Sequence, residues 1–153
     1  MSNRGVVEAY CRAVVEDDLD AQDALLHDDY ILDYPQSGER FRGKANRRGI
    51  VENYPLRVEA GIRPSVDRII GEDDKFITGP APSWNMIHLS GSGDDFVNTG
   101  TITYPDGSTW HHVTLMTLRG GKVWRETTYF AEPFEPPEWR APFAERIEDA
   151  QQR

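Results

Sequence analysis

The 153-residue chain has one cysteine, Cys11, so no internal disulfide can form. No apolar run approaches the roughly 18 residues that a membrane helix needs, so no membrane partner is expected. The opening "MSNRGVVEAY" lacks the apolar core of a secretory signal, which leaves the cytoplasm as the expected location. Glycine-rich phosphate loops, a nucleophile elbow and a dinucleotide fingerprint are all missing. The four histidines, His27, His88, His111 and His112, do not follow a metal-binding spacing. Neither a metal nor an organic cofactor is therefore expected. Basic residues are outnumbered, 17 Lys and Arg against 26 Asp and Glu, for a net charge of −9. An acidic chain gains nothing from phosphate backbones, which argues against nucleic acid as a partner.

What remains is a chain sized for one domain, 38 % hydrophobic, with four Trp, six Tyr and six Phe. Those aromatics point to an aromatic-rich core or pocket. Cys11 falls on an apolar helical stripe, where a buried, inert thiol is the ordinary state. One cluster opposes the acidic trend: Arg40, Arg42, Lys44, Arg47 and Arg48 place five of the 17 basic residues within nine positions. Solvated charges on a strand edge and a helix are the plain reading. A patch attracting an anionic ligand is the sharper one.

Val6, Tyr10, Ala13 and Val14 repeat as one face of an amphipathic helix, with Ser2 or Asn3 as cap. Asp20 is placed to cap a second short helix carrying Leu25 and Leu26. Residues 29–34 alternate as a strand, "PQSG" turns the chain, and residues 39–42 return. A third helix is expected over 44–54, stopped by Pro55. Beyond Pro64 five segments read as strands: "SVDRIIG", "SWNMIHLSG", "FVNTGTITY", "STWHHVTLMTLR" and "KVWRETTYF". Asp106-Gly107 and Gly120-Gly121 supply tight turns between the last three. Four prolines keep 132–143 out of any central strand, and Phe134 and Trp139 suggest that the proline-rich tail, 132–153, packs on the body. The order predicts a single α+β domain over 1–153, with helices laid against a curved sheet that encloses a pocket.

Three stretches carry a family resemblance. "VVEAYCRAVVEDDLDAQDALLHDDYILDYP", "SGERFRGKANRRGIVENYP" and "VTLMTLRGGKVWRETTYF" resemble, in order and spacing, the nuclear transport factor 2-like superfamily and its SnoaL-like, polyketide-cyclase-like branch. The resemblance implies a cone-shaped, antiparallel or mixed sheet wrapped by about three N-terminal helices, a cystatin-like α+β roll. It does not fix function, because this fold hosts isomerases, dehydratases, cyclases, hydrolases and non-catalytic binding proteins. By similarity to ketosteroid isomerases, Tyr10 takes the place of the tyrosine that donates to a substrate oxyanion. The base aspartate of those enzymes falls on Tyr34, whose phenol is a poor base at neutral pH. Their second acid falls near Thr114, which cannot ionise. Scytalone dehydratase is similar at Asp33-Tyr34, which implies that Tyr34 polarises a carbonyl through a water, with His88 and His112 as loose counterparts of its histidine pair.

The strand "TWHHVTLMTL" sends neighbouring side chains to opposite faces. If position 114 points into the cone, Trp110, His112, Thr114, Met116 and Leu118 share the inner face. His111, Val113, Leu115 and Thr117 then form an apolar outer face, the expected surface of a homodimer. Imidazole titrates near neutrality, so His112 is the leading candidate for proton transfer. Tyr10 and Tyr34 complete the candidate set as hydrogen-bond donors. Asp33 is an alternative base, set against a salt bridge to Arg40 or Arg42 across the hairpin. Trp84, Met86, His88, Trp110, Thr114 and Met116 are expected to line a site for a small hydrophobic molecule. Two functions fit: an enzyme doing cofactor-independent isomerase, dehydratase or cyclase chemistry, or a non-catalytic ligand-binding or interaction module.

Overall fold

The computed structural model describes residues 1–57, 61–71, 75–77, 88–90 and 93–147, with backbone pairing alone for 75–77 and 88–90. Helix α1 runs Asn3–Val15, and the Ser2 hydroxyl caps it by accepting from the Gly5 amide at 3.0 Å. Its buried stripe is Val6, Val7, Tyr10, Cys11 and Ala13. Helix α2, Leu19–Leu25, is capped by Asp18 rather than Asp20, its carboxylate accepting from the Ala21 amide at 2.9 Å. The chain passes directly into β1, Leu26–Tyr34, so this strand is longer than the alternation at 29–34 suggested. Gly38, at a φ of 76°, turns it into β2, Glu39–Arg42. Helix α3, Gly43–Glu52, follows without a break.

The remaining strands are β3 Arg63–Pro64, β4 Arg68–Gly71, β5 Lys75–Ile77, β6 His88–Ser90, β7 Asp95–Thr103, β8 Thr109–Arg119 and β9 Lys122–Ala131. Seven form one curled, mixed sheet in the order β2-β1-β9-β8-β7-β3, with β4 also on β7. β1 lies parallel to β9, and the other pairs are antiparallel. β5 and β6 pair apart from it.

Burial along β8 alternates as its sequence demands: His112, Thr114, Met116 and Leu118 are buried, and His111 and Val113 are exposed. The helices cover the inner face. Val7 of α1, Phe96 of β7 and Val123 of β9 are fully buried together in the core. Two irregularities aim this face. β3 pairs Pro64 with Ile102 while β4 pairs Arg68 with Thr99, so three residues oppose two and the segment bulges at 65–67. The β8–β9 register slips between Thr117 and Leu118, which lets both Val123 and Glu126 face inward.

The tail departs from expectation. Residues 132–137 are extended and Glu138–Phe143 forms a 3-10 helix. Phe134, Trp139, Phe143 and Ile147 are each more than 70 % exposed, so none is packed into this chain's core. Four prolines leave few amides for a sheet ladder that would hold the segment down.

Candidate active site

Between the helices and the inner sheet face lies a cavity of about 650 Å³. Leu32, Phe41, Ile50, Ile102, Trp110 and Phe130 make much of its apolar wall. Its polar groups gather at two ends.

At one end is Glu126, on the strand that closes the hairpin. It is buried, and two phenols point at it. Tyr10 of α1 and Tyr30 of β1 each donate a hydroxyl proton to Oε1 at 2.6 Å. Both protons go to one oxygen, so Oε2 is the oxygen with lone pairs to offer. Burial, reinforced by the Glu126 charge, drives both phenol pKa values well above the usual tyrosine range, so both remain donors. Arg47 of α3 completes the cluster. Its guanidinium lies 5.7 Å from the centre of the Tyr10 ring, and the side chain is buried. Burial opposes its charge, but Tyr10, Tyr30 and Glu126 outweigh burial and hold it protonated. Its Nη1 is buried and has no hydrogen-bond partner.

The other end is built around His112. Its Nε2 lies 2.9 Å from the Ser65 carbonyl oxygen, which can only accept, so Nε2 carries the proton. The bulge at 65–67 brings that carbonyl in, and Gly100, opposite His112 on β7, leaves room for it. Thr114 and Thr128 bond each other at 3.0 Å between the two ends. His112 stands four residues along β8 from Met116, the register partner of Glu126, which separates the ends by roughly 13 Å at strand rise.

The expected site residues divide clearly. Tyr10, Tyr34, Trp110, His112 and Thr114 all line the cavity. Tyr34 packs edge-on against Phe41 and Phe130, and burial raises its pKa. Asp33 is a correction. It points away from Tyr34, and Arg40 grips both its oxygens at 2.6 and 2.8 Å. That hydrogen-bonded pairing holds the carboxyl below its ordinary pKa, so Asp33 is a salt-bridge partner outside the cavity. Met116 is a second correction: it is buried in the core outside the cavity lining, its sulfur accepting from Asn98 Nδ2 at 3.0 Å. Trp84 and Met86 lie outside the described residues, and His88 is described only as a β6 backbone position paired with Ile77.

Sequence reasoning missed Glu126 and the inward turn of Arg47. Both had a signal. Glu126 shares strand parity with Thr128 and Phe130. Arg47 shares a helical stripe with Ile50 and Val51, Tyr54 follows just past the helix end, and all four line the cavity. The other basic residues of the cluster fit the plain reading: Arg40 pairs with Asp33, Lys44 with Asp28, and Arg48 with Asp20, Asp23 and Glu52. Among the described residues, no group of three or more His, Cys, Asp and Glu is placed to hold a metal ion. No helix among them is long and apolar enough to cross a membrane.

A curled mixed sheet closed by N-terminal helices over one largely apolar cavity defines the nuclear transport factor 2-like class of α+β fold. Within it, the chain belongs to the SnoaL-like family, whose domain model matches residues 7–126. It is similar to a protein of unknown function from Burkholderia xenovorans LB400, at 32 % identity over 95 % of this chain and 94 % of that one, with a TM-score of 0.67. It shares its fold with a candidate ketosteroid isomerase from Kribbella flavida DSM 17836, at 20 % identity, 97 % and 91 % coverage and a TM-score of 0.71. The fold also matches a candidate polyketide cyclase from Pseudomonas putida KT2440, at 23 % identity, 84 % and 91 % coverage and a TM-score of 0.57. No curated protein matches the chain in sequence.

Proposed function

We propose that the chain is a small-molecule enzyme doing acid/base chemistry with its own side chains, of the isomerase, dehydratase or cyclase type. Its substrate is a hydrophobic carbonyl or hydroxyl compound held in the cavity. The observation that carries this reading is the Glu126 cluster. Burying a carboxylate beside an apolar cavity is costly unless its charge is partnered. Two phenols and a guanidinium bear that cost here, and they leave Oε2 able to take a proton from a ligand. The role of proton acceptor therefore moves from His112 to Glu126. His112, with Nε2 engaged by Ser65, keeps Nδ1 for a second oxygen at the far end of the ligand.

One observation favours the alternative of a binding module. Tyr10 and His112, two groups expected to act on a ligand, each hydrogen-bond within the protein. Proton exchange separates the two readings. A panel of cyclic enones and diketones is incubated with the protein in deuterium oxide and followed by NMR. An enzyme exchanges carbon-bound protons of at least one compound, and Glu126→Gln slows that exchange by about 10²–10⁴-fold. Exchange that is indifferent to Glu126→Gln, or a compound that binds and never exchanges, removes the enzyme reading.

We also propose that two copies pair through the outer sheet face. Val113 and Tyr129 stand directly opposite each other there, each 40 % exposed, beside exposed His111. Light scattering should give twice the chain mass, and Val113→Lys should shift it toward the monomer. A wild-type monomer at micromolar concentration removes the dimer.

A further inference from the structure

Every residue from Ala131 to Ile147 is exposed, yet the segment follows a defined path: extended over 132–137, then the 3-10 helix Glu138–Phe143. Among the described residues its hydrogen bonds are internal. The Arg140 amide donates to the Pro137 carbonyl at 3.1 Å, and the Ala144 amide to the Ala141 carbonyl at 3.4 Å. Pro133, Pro136, Pro137 and Pro142 restrict φ, so this arm loses little further backbone freedom when it docks. It displays Phe134, Trp139, Phe143 and Ile147, each between 72 % and 87 % exposed. Four large apolar side chains on one short arm form a docking element whose socket is not in its own chain's core.

The position and size of a neighbouring patch say what the arm fits. β9 ends at Ala131, whose register partner is His111, and the next outward pair along the same two strands is Val113 and Tyr129. That row continues across the sheet, from Val113 to Thr99 of β7 and from Thr99 to exposed Arg68 of β4. The arm therefore leaves the sheet two residues, roughly 7 Å, from the face through which two copies are proposed to pair. Two side chains 40 % exposed offer at most about 200 Å² there. A stable interface needs roughly 800 Å² per partner. The three aromatics of the arm contribute about 300–500 Å² of their own. Each arm also covers a comparable area of the surface beneath it, so two reciprocal arms close the gap that the patch alone leaves. Charge agrees, because 132–147 carries four Glu and two Arg and the outward row ends at Arg68. The same acidic excess disfavours an anionic lipid surface as the occupant.

We propose that the 132–147 arm of each copy lies across the outer sheet face of a second copy, its aromatics packed beside the Val113–Tyr129 patch and its glutamates turned toward the partner subunit's Arg68. This rests on the reading that copies pair through that face, and it names the arm as the part that makes the pairing stable. Twofold symmetry buries both arms in one event.

The test compares three full-length proteins by sedimentation equilibrium: wild type, Val113→Lys, and an arm variant combining Phe134→Ser, Trp139→Ser and Phe143→Ser. The arm side chains are exposed, so the circular dichroism of that variant should match wild type. Its dimer dissociation constant should rise by at least about 100-fold. A second measurement places the photo-reactive benzoylphenylalanine at position 139 in a mixture of heavy- and light-isotope chains. Cross-links should join a heavy chain to a light one and map to outward positions of β4, β7, β8 or β9. A wild-type dimer that Val113→Lys splits and the arm variant leaves intact overturns the role of the arm, while the sheet-face dimer stands. A dimer split by the arm variant and untouched by Val113→Lys puts the arm on another surface and overturns the proposal. Cross-links confined to one chain, absent, or falling on the partner's helices overturn it as well. A wild-type monomer removes both readings. If the arm variant misfolds, the cross-links decide alone.

Discussion

Replacing Tyr30 by Phe removes one oxygen atom and leaves the ring to fill the same space. Tyr30 is 1 % exposed, and its hydroxyl donates to Glu126 Oε1 at 2.6 Å. Hydrogen bonds to a charged acceptor contribute about 1.5–3 kcal/mol, and the acceptor left behind is buried. We expect Tyr30→Phe to cost about 2 kcal/mol. For a chain of this length that lowers Tm by roughly 4–8 °C, or shifts a urea midpoint without changing its slope. The decisive control is the same substitution in Glu126→Gln. There the acceptor is neutral, and the cost of losing the hydroxyl should fall to about 1 kcal/mol. The difference, about 1 kcal/mol, is the coupling that a double-mutant cycle measures. Tyr10→Phe should behave alike, but the two costs should not add, because both hydroxyls serve one oxygen. A cost under about 0.5 kcal/mol that is the same in both backgrounds would refute the carboxylate cluster as described here.

Two further expectations follow from other contacts. At Gly100, an added Cβ would lie 2.0 Å from the Ser65 carbonyl oxygen and 2.8 Å from His112 Nε2. Gly100→Ala should therefore push Ser65 off His112 and cost roughly 1–3 kcal/mol, and a urea midpoint equal to wild type would show that the approach is slack. The buried phenols set the alkaline limit. Tyr10, Tyr30 and Tyr34 have raised pKa values, chiefly through burial, so the folded chain holds protons that the unfolded chain gives up. The stability this provides is full below about pH 10 and is lost as pH climbs through the raised values. Near-ultraviolet titration should show Tyr10 and Tyr30 ionising only together with unfolding. All six tyrosines titrating smoothly near pH 10 with the fold intact would contradict their burial.

Much of the fold was legible because local rules and tertiary packing agree. The alternation in "TWHHVTLMTL" sends His112 inward and His111 outward whatever the neighbours do, and burial along β8 follows it. The apolar stripe of α1, the turn at Gly38 and the order of the last three strands are of the same kind. The tail is the exception: aromatics in a sequence suggest packing, whereas Phe134 and Trp139 sit on a proline-rich segment that stays exposed.

The site was legible only in part. The sequence by itself determined which faces Tyr10, Tyr34 and His112 occupy, since helix and strand periods are local geometry. It could not determine their partners. Tyr10 meets Glu126 across 116 residues, and Tyr30 meets it across 96. That meeting depends on a parallel pairing of β1 with β9 and a register slip in β8–β9, and neither leaves a periodic trace. Likewise the inward turn of Arg47 needs α3 to lie across the sheet mouth. Charge and spacing near residue 47 describe a solvated basic helix equally well. Tertiary structure decided between the two, because only packing removes one guanidinium of that cluster from water and leaves the others on the surface.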